Sequence, residues 1–321
     1  MPVQKASHLV GVAKQAAKGA LMANPMFVHG VTDGGLASAN PKQSALEVTS
    51  GKRTRANVVR ESVANGGDIK APAYLKALGL YLLGALGGDV VTGTGPFVHT
   101  FSTADTLPYL SLFEKFGGVM TAVRDAKIEE LTLSWDGRKP LVLSIKALGT
   151  VFSYPLTFVG TTDETGSDSF LIPVGGVFQY DVDGSVLATA RVNKGELSVK
   201  NVVDAVELSA SIEADDMFEG LQEHSVKLTI VPDDLNDYRT ALTGSPAGAT
   251  SAVVPPLGGF SLLFKENGGT GQLLVTAAKV AFDIAWPKGD SKGGAVELEL
   301  VGLPVGNAPV VYALTNQQAT Y

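Results

Sequence analysis

This 321-residue sequence predicts a mainly β fold, built of β-sandwich or β-barrel modules that each carry one packed helix. Three observations predict it. Apolar and polar residues alternate strictly in several short runs, which is the period of a half-buried strand. The 37 glycines are spread along the chain without a Gly-X-Y period, so they serve many tight turns. And one arrangement of strand, Gly-Gly turn and tryptophan occurs twice: "SLFEKFGG" (111–118) ends seventeen residues before Trp135, and "LLFKENGG" (262–269) ends seventeen before Trp286 (135 − 118 = 286 − 269 = 17).

The first element, "HLVGVAKQAAKGALMANP", is broken by Lys14 and Lys18 before it can form an uncharged signal core, and reads as a short amphipathic helix or arm. The most apolar run, "YLKALGLYLLGALGG" (74–88), is shorter than the roughly 20 residues a membrane helix needs. Leu75, Leu78 and Leu82 recur at helical spacing, which predicts a buried helix ended by Gly87 and Gly88. "EELTLSW" (129–135) sets Leu131, Leu133 and Trp135 against Glu130, Thr132 and Ser134. After "DGRKP", "LVLSIKA" (141–147) alternates again, which predicts an antiparallel hairpin with one packed face. Near the other end "KVAFDIAW" (279–286) sets Phe282, Ile284 and Trp286 against Ala281, Asp283 and Ala285. "AVELELVG" then sets Val296, Leu298 and Leu300 against Glu297 and Glu299.

A duplication keeps spacing and strand phase, so it can be tested at a fixed offset. At 151 (286 − 135), Phe113 meets Phe264, Gly117 and Gly118 meet Gly268 and Gly269, and Leu131, Leu133 and Trp135 meet Phe282, Ile284 and Trp286. Upstream, at 160 (232 − 72), Pro72, Leu75, Leu82 and Gly84 meet Pro232, Leu235, Leu242 and Gly244. The proline suits a first helical turn and the glycine a helix end. The chain accordingly divides into an amino-terminal arm (1–45), a first module (46–165) and a second (166–321).

With 45% hydrophobic residues the chain can bury a full core, and with no cysteine it holds neither disulfides nor thiolate metal sites. Its charge of −7 is uneven. Residues 1–60 hold Lys5, Lys14, Lys18, Lys42, Lys52, Arg53, Arg55 and Arg60 against Asp33 and Glu47, about +6, which leaves the remainder near −13 (−7 − 6). An acidic body does not grip nucleic acid, because neutralising phosphates needs clustered cations.

Candidate chemistry is sparse. His8, His29, His99 and His224 lie far apart and fit no ligand spacing, and there is no GxSxG elbow. "GTGPF" (93–97) reads as a loop and "DVDGS" (181–185) as a turn lacking the later ligands of a calcium loop. Asp215 with Asp216, and Asp233 with Asp234, would serve acid–base work only in a pocket; the second pair also suits a helix first turn after Pro232. The expectation is no catalytic, cofactor or metal site.

The segment 106–152 resembles the central signature of the tail tube proteins of long-tailed, non-contractile bacteriophages. Lys127, Ile128, Leu131, Gly137 and Gly149 carry its "K-[IV]-x-x-L" strand and glycine turns. "KAPAYLKALGLYLLGALGG" is similar to the helix before that signature, and "VTAAKVAFDIAWPKGDSKGGAVELELVG" to its usual ending, so the likeness covers roughly 50–305. It implies a structural virion protein, not an enzyme, whose modules each add a four-stranded sheet to a ring-shaped inner β-barrel with a helix outside. Members with two fused modules assemble as trimeric, pseudo-hexameric rings stacked into a tube. The implied partners are further copies of the chain, the tape measure protein, the tail terminator and the distal tail proteins. Genomic DNA passes without specific binding, and no membrane or cofactor is implied. Assembly would take place in the host cytoplasm. The polar alternates Glu130, Thr132, Ser134, Asp283, Glu297 and Glu299 become candidate lumen-facing residues, and the basic segment a candidate latch onto the next ring. A glycan-binding adhesin and a head–tail joining protein stay open as other β-rich virion readings.

Overall fold

The computed structural model describes residues 8–20, 26–46, 57–154, 161–164, 169–287, 296–306 and 309–321. In chain order its elements are β1 (His8–Lys14), β2 (Met26–Gly30), β3 (Asp33–Leu46), β4 (Asn57–Pro72), α1 (Leu75–Leu86), β5 (Gly87–Thr92), β6 (Phe97–Thr103), β7 (Leu110–Phe116), β8 (Val119–Asp136), β9 (Val142–Gly149), β10 (Val151–Ser153), β11 (Thr161–Asp163), β12 (Leu171–Ile172), β13 (Phe178–Asp181), β14 (Ala188–Thr189), β15 (Val192–Glu207), β16 (Ala214–Ile230), α2 (Asn236–Thr243), β17 (Leu257–Glu266), β18 (Gln272–Ile284), β19 (Leu298–Pro304) and β20 (Val311–Asn316). The protein is mostly β, with two helices among the described residues.

Eight antiparallel strands form its spine, in the order β3–β4–β9–β8–β15–β16–β19–β18. The first four come from the amino-terminal half and the last four from the other, and the two sets meet where β8 pairs with β15. Outside this spine, β8 turns away at Asp125, whose φ of 52° bends the strand, and its first half pairs with β7 and β10. The first half of β18 likewise pairs with β17 and β20.

The pairing order therefore runs twice. Across the first half Ile69, Ile145 and Leu131 stand in one row, and across the second Val226, Gly302 and Phe282 do. The rows coincide at offsets of 157 (226 − 69 and 302 − 145) and 151 (282 − 131), which keep buried residues on buried residues. The proline alignment at 160 differs from 157 by three, an odd shift that would turn each strand over. Pro72 is the last residue of β4, and Pro232 lies ahead of α2; neither is in a helical first turn. The closing glycines are Gly87 and Gly244, at φ 87° and 78°, each giving its N–H to a carbonyl of the last turn (244 − 87 = 157). Gly84 sits inside α1, packed against Leu110 and Ile128.

α1 is apolar on every side and is buried on every side, with Lys76 the exception. Its first N–H groups have no capping side chain at Tyr74; the Glu164 carboxylate accepts from the Lys76 and Ala77 amides at 3.3 and 3.0 Å instead. α2 is shorter and buries only Thr240 and Ala241. One continuous core runs through both halves, from Val10 on β1 to Leu314 on β20.

The amphipathic helix or arm expected at the amino terminus is a strand. β1 lies between β2 and β7 with Val10, Val12 and Ala13 buried. Its valines alternate with Gly11, and pairing on both sides, with nearby β2 and with β7 far along the chain, makes the strand form. Two apolar positions also differ from expectation: Val296 and Trp286 are both exposed, because β18 ends at Ile284 and β19 begins at Leu298. Asp233 and Asp234 precede α2, where Asp234 accepts from the Asn236 amide at 2.8 Å.

Candidate lumen face

Strand alternation puts Glu130, Thr132 and Ser134 of β8 on the face opposite buried Leu131, Leu133 and Trp135. Register carries that face across the joint: Glu130 opposes Lys200, Thr132 opposes Ser198, and Ser134 opposes Glu196. From there Glu196 opposes Lys227, Lys227 opposes Val301, and Val301 opposes Asp283. Thr229 opposes Glu299, and Glu297 shares its parity. Glu130, Thr132, Ser134, Asp283 and Glu299 thus lie on one continuous face of the eight-stranded spine, although they come from distant parts of the sequence, and Glu297 lies just ahead of β19.

Sequence reasoning missed the cations among them. Lys70, Lys146, Lys194, Lys200 and Lys227 share the face with Asp33, Asp68, Glu130, Asp136, Glu196, Glu223, Asp283 and Glu299, so carboxylates outnumber lysines there. Most of the lysines are engaged. Lys227 Nζ lies 2.6 Å from Glu299 Oε1, Lys146 Nζ 2.9 Å from Glu129 Oε1, and Lys200 Nζ 3.6 Å from Glu130 Oε1. The Glu299 hydrogen bond and charge raise the Lys227 pKa, and the Lys139 hydrogen bond lowers that of Asp136. Asn193 donates to Glu297 Oε1 at 2.9 Å. The alternation that would have found this second strip is present in "GELSVKN" of β15, where Leu197 and Val199 alternate with Glu196, Ser198 and Lys200.

Chemically, a sheet face of carboxylates and lysine heads tied to carboxylates offers phosphate few free cations. No group of three or more His, Asp or Glu that could hold a metal exists among the described residues. Three histidines are packed in the interior: His29 shares a 2.9 Å hydrogen bond with the Tyr81 hydroxyl, His99 faces Asp89 at 3.0 Å, and His224 lies beside Thr103 and Gln222. Burial depresses both His29 and His224 to about 4, so each stays neutral at pH 7. His8 pairs with Glu114 at 2.7 Å. "GTGPF" forms the loop between β5 and β6, and Asp181 accepts from the Gly184 amide in the "DVDGS" turn. Lys18 reaches Asp216 at 2.9 Å and Asp215 at 3.7 Å within its own chain. Lys5, Lys52, Arg53 and Arg55 lie outside the described residues.

The two ends of the spine are less occupied than its middle. Among the described residues β3 has one strand partner, β4, and the last part of β18, from Phe282, has one, β19. Beside that end of β18, Tyr238 and Leu242 of α2, Ile284 and Leu303 line a mainly apolar groove of about 410 Å³. No helix among the described residues is long and apolar enough to cross a membrane.

A family model described as phage tail tube protein matches residues 6–292. A search of curated proteins gave no match. The family match spans most of the chain, and the chain belongs to the phage tail tube protein family: it is a structural component of the virion that assembles into a tail tube with other tail proteins.

Proposed function

We propose that this family member polymerises as stacked rings of three chains, each chain carrying two fused tube modules (46–165 and 166–321), and that the tube conducts DNA into the host. The observation that carries the reading is the spine itself. Four strands in one pairing order are followed by four in the same order, and the sheet ends on two edges with one partner each. An open edge invites another strand, and closing the sheet on itself removes both edges at once. Three chains then form a barrel of 24 strands (3 × 8) with pseudo-sixfold symmetry. The face bearing Glu130, Thr132, Ser134, Asp283, Glu297 and Glu299 lines its lumen, where an acidic surface with engaged lysines lets the polyanion slide without being held.

The basic residues among 1–60 latch onto the acidic body of the next ring, the tube ends meet the tail terminator and distal tail proteins, and the lumen houses the tape measure protein before DNA passes. Assembly takes place in the host cytoplasm.

Electron microscopy of the purified chain tests this. The expected result is rings or tubes whose cross-section holds three chains, with Glu297 and Glu299 facing the channel. A monodisperse monomer at all concentrations overturns the ring, and Glu297 and Glu299 on the outer wall overturn the lumen assignment. Charge reversal at Lys52, Arg53 and Arg55 is expected to leave single rings but shorten tubes; unchanged tube length would overturn the latch.

A further inference from the structure

The closed joint inside the chain is a template for the open one, and it assigns a residue to the seam between chains. Where β8 meets β15, Trp135 stands opposite Gly195, Leu133 opposite Leu197 and Leu131 opposite Val199. A Cβ on Gly195 would come within 2.4 Å of the Trp135 ring, so the indole packs directly against that glycine and is 4% exposed. Trp286 lies two residues past the end of β18, at the offset of 151 that also relates Leu131 to Phe282. It is 62% exposed and touches only one aromatic ring among the described residues, that of Tyr238 at 4.9 Å.

The partner strand follows from the rows. Leu197 pairs with Val226, the counterpart of Ile69, and Ile69 pairs with Gly34 of β3. Gly34 is therefore the counterpart of Leu197, and Ile284, the counterpart of Leu133, is its match. Thr32, Asp33 and Gly34 are exposed at that edge, although Gly34 lies on the packed face of its row. We propose that residues 282–286 of one copy pair antiparallel with Thr32–Leu36 of a second copy, Ile284 opposite Gly34, and that Trp286 anchors the seam by packing beside the Thr32 side chain, whose Cβ keeps the indole off the strand that Gly195 lets Trp135 approach. The occupant is a second copy of this chain because the edge continues a joint already made within the chain, in the same strand order and direction. Burying one exposed indole in such a contact concentrates binding in a single residue. The proposal rests on the ring reading above.

The chain contains no cysteine, which makes crosslinking clean. In the double variant Asp33→Cys with Ala285→Cys, the two positions face each other across the proposed seam (33 + 285 = 32 + 286 = 318). Oxidation of assembled material is expected to give a covalent ladder that stops at three chains. Val31→Cys with Ala285→Cys, a two-residue slip, is expected to give at least tenfold less. Assembly should also shield Trp286, shifting emission to the blue and removing the acrylamide-quenchable fraction. Trp286→Ala should raise the concentration needed for assembly at least tenfold while leaving the melting temperature of the unassembled chain unchanged. If wild-type rings form but the crosslink fails, favours the slipped pair, or Trp286 stays quenchable, this seam is overturned and the ring reading stands. If wild-type chain never forms rings, both fall.

Discussion

The two tryptophans sit at the same step of the same strand pattern and meet opposite fates. Trp135 is enclosed by Gly195, with Phe178 and Phe264 at 5.7 and 5.0 Å, because β15 follows β8 in the sheet. Trp286 is open to solvent because no described strand follows β18 there. A sequence pattern fixes which side of a strand is apolar. Whether that side is covered depends on the neighbour strand, and among the described residues one occurrence of the pattern has such a neighbour while the other does not.

The largest expected break in this comparison is Trp135→Ala, which removes a fully enclosed ring and should cost about 3–5 kcal/mol in urea unfolding of the unassembled chain. Trp286→Ala should stay within about 0.5 kcal/mol in the same measurement, as exposed sites do. Equal costs would show that exposure does not distinguish the two sites.

Acid should loosen the closed joint next. His224 lies in the row of Leu131 and Val199, one strand beyond the joint, and burial depresses it to about 4 from an ordinary 6.5. The unfolded chain binds that proton more readily, so this stability is complete above pH 6.5 and is lost as pH falls toward 4. The loss is at most about 3.4 kcal/mol, from about 2.5 pKa steps of 1.36 kcal/mol each. His29 behaves alike in the first half. Unfolding at pH 7 and pH 4.5 measures the sum, and His224→Gln should remove its share of the slope; a variant with the wild-type slope would clear His224 of any part in it.

Gly195→Ala should cost about 1–3 kcal/mol by pressing a methyl into the Trp135 ring. Combining it with Trp135→Phe should recover part of that cost, because the two residues touch, and strict additivity would show that the contact is not the cause. The smallest effect belongs to the polar face. Glu299→Gln breaks the 2.6 Å pair with Lys227, which is half-exposed, and should cost little at low salt and nothing measurable at high salt. A salt-independent loss would mean that this pair is shielded from solvent.

Much of this architecture was legible. The alternation of 129–135 and 141–147 gave β8 and β9 with their faces, the leucine spacing of 74–88 gave α1 with its end at Gly87, and the strand positions of Glu130, Thr132, Ser134, Asp283 and Glu299 fall on one face of the sheet. Illegible parts share a physical cause. β1 is a strand because β2 and β7 flank it, and nothing within its seven residues outweighs that pairing. The proline match at 160 looked like a repeat, but only the hydrogen-bond rows reveal that the strands coincide at 157, since residue type alone cannot detect an odd slip. The lysines of the polar face were visible individually and unassigned collectively, because they reach it from β4, β9, β15 and β16.

By itself, then, the sequence determined local things: which runs alternate, which helix is apolar all round, where glycines turn the chain, and that the spacing from a Gly-Gly turn to a tryptophan recurs. These follow from side-chain periodicity and backbone sterics, which act over a few residues. Only the tertiary structure decided which strands are neighbours, that charges distant in sequence share a face, and that Trp135 is covered while Trp286 is not. Those depend on pairing between segments far apart in the chain, where hydrogen-bond register sets what each residue meets.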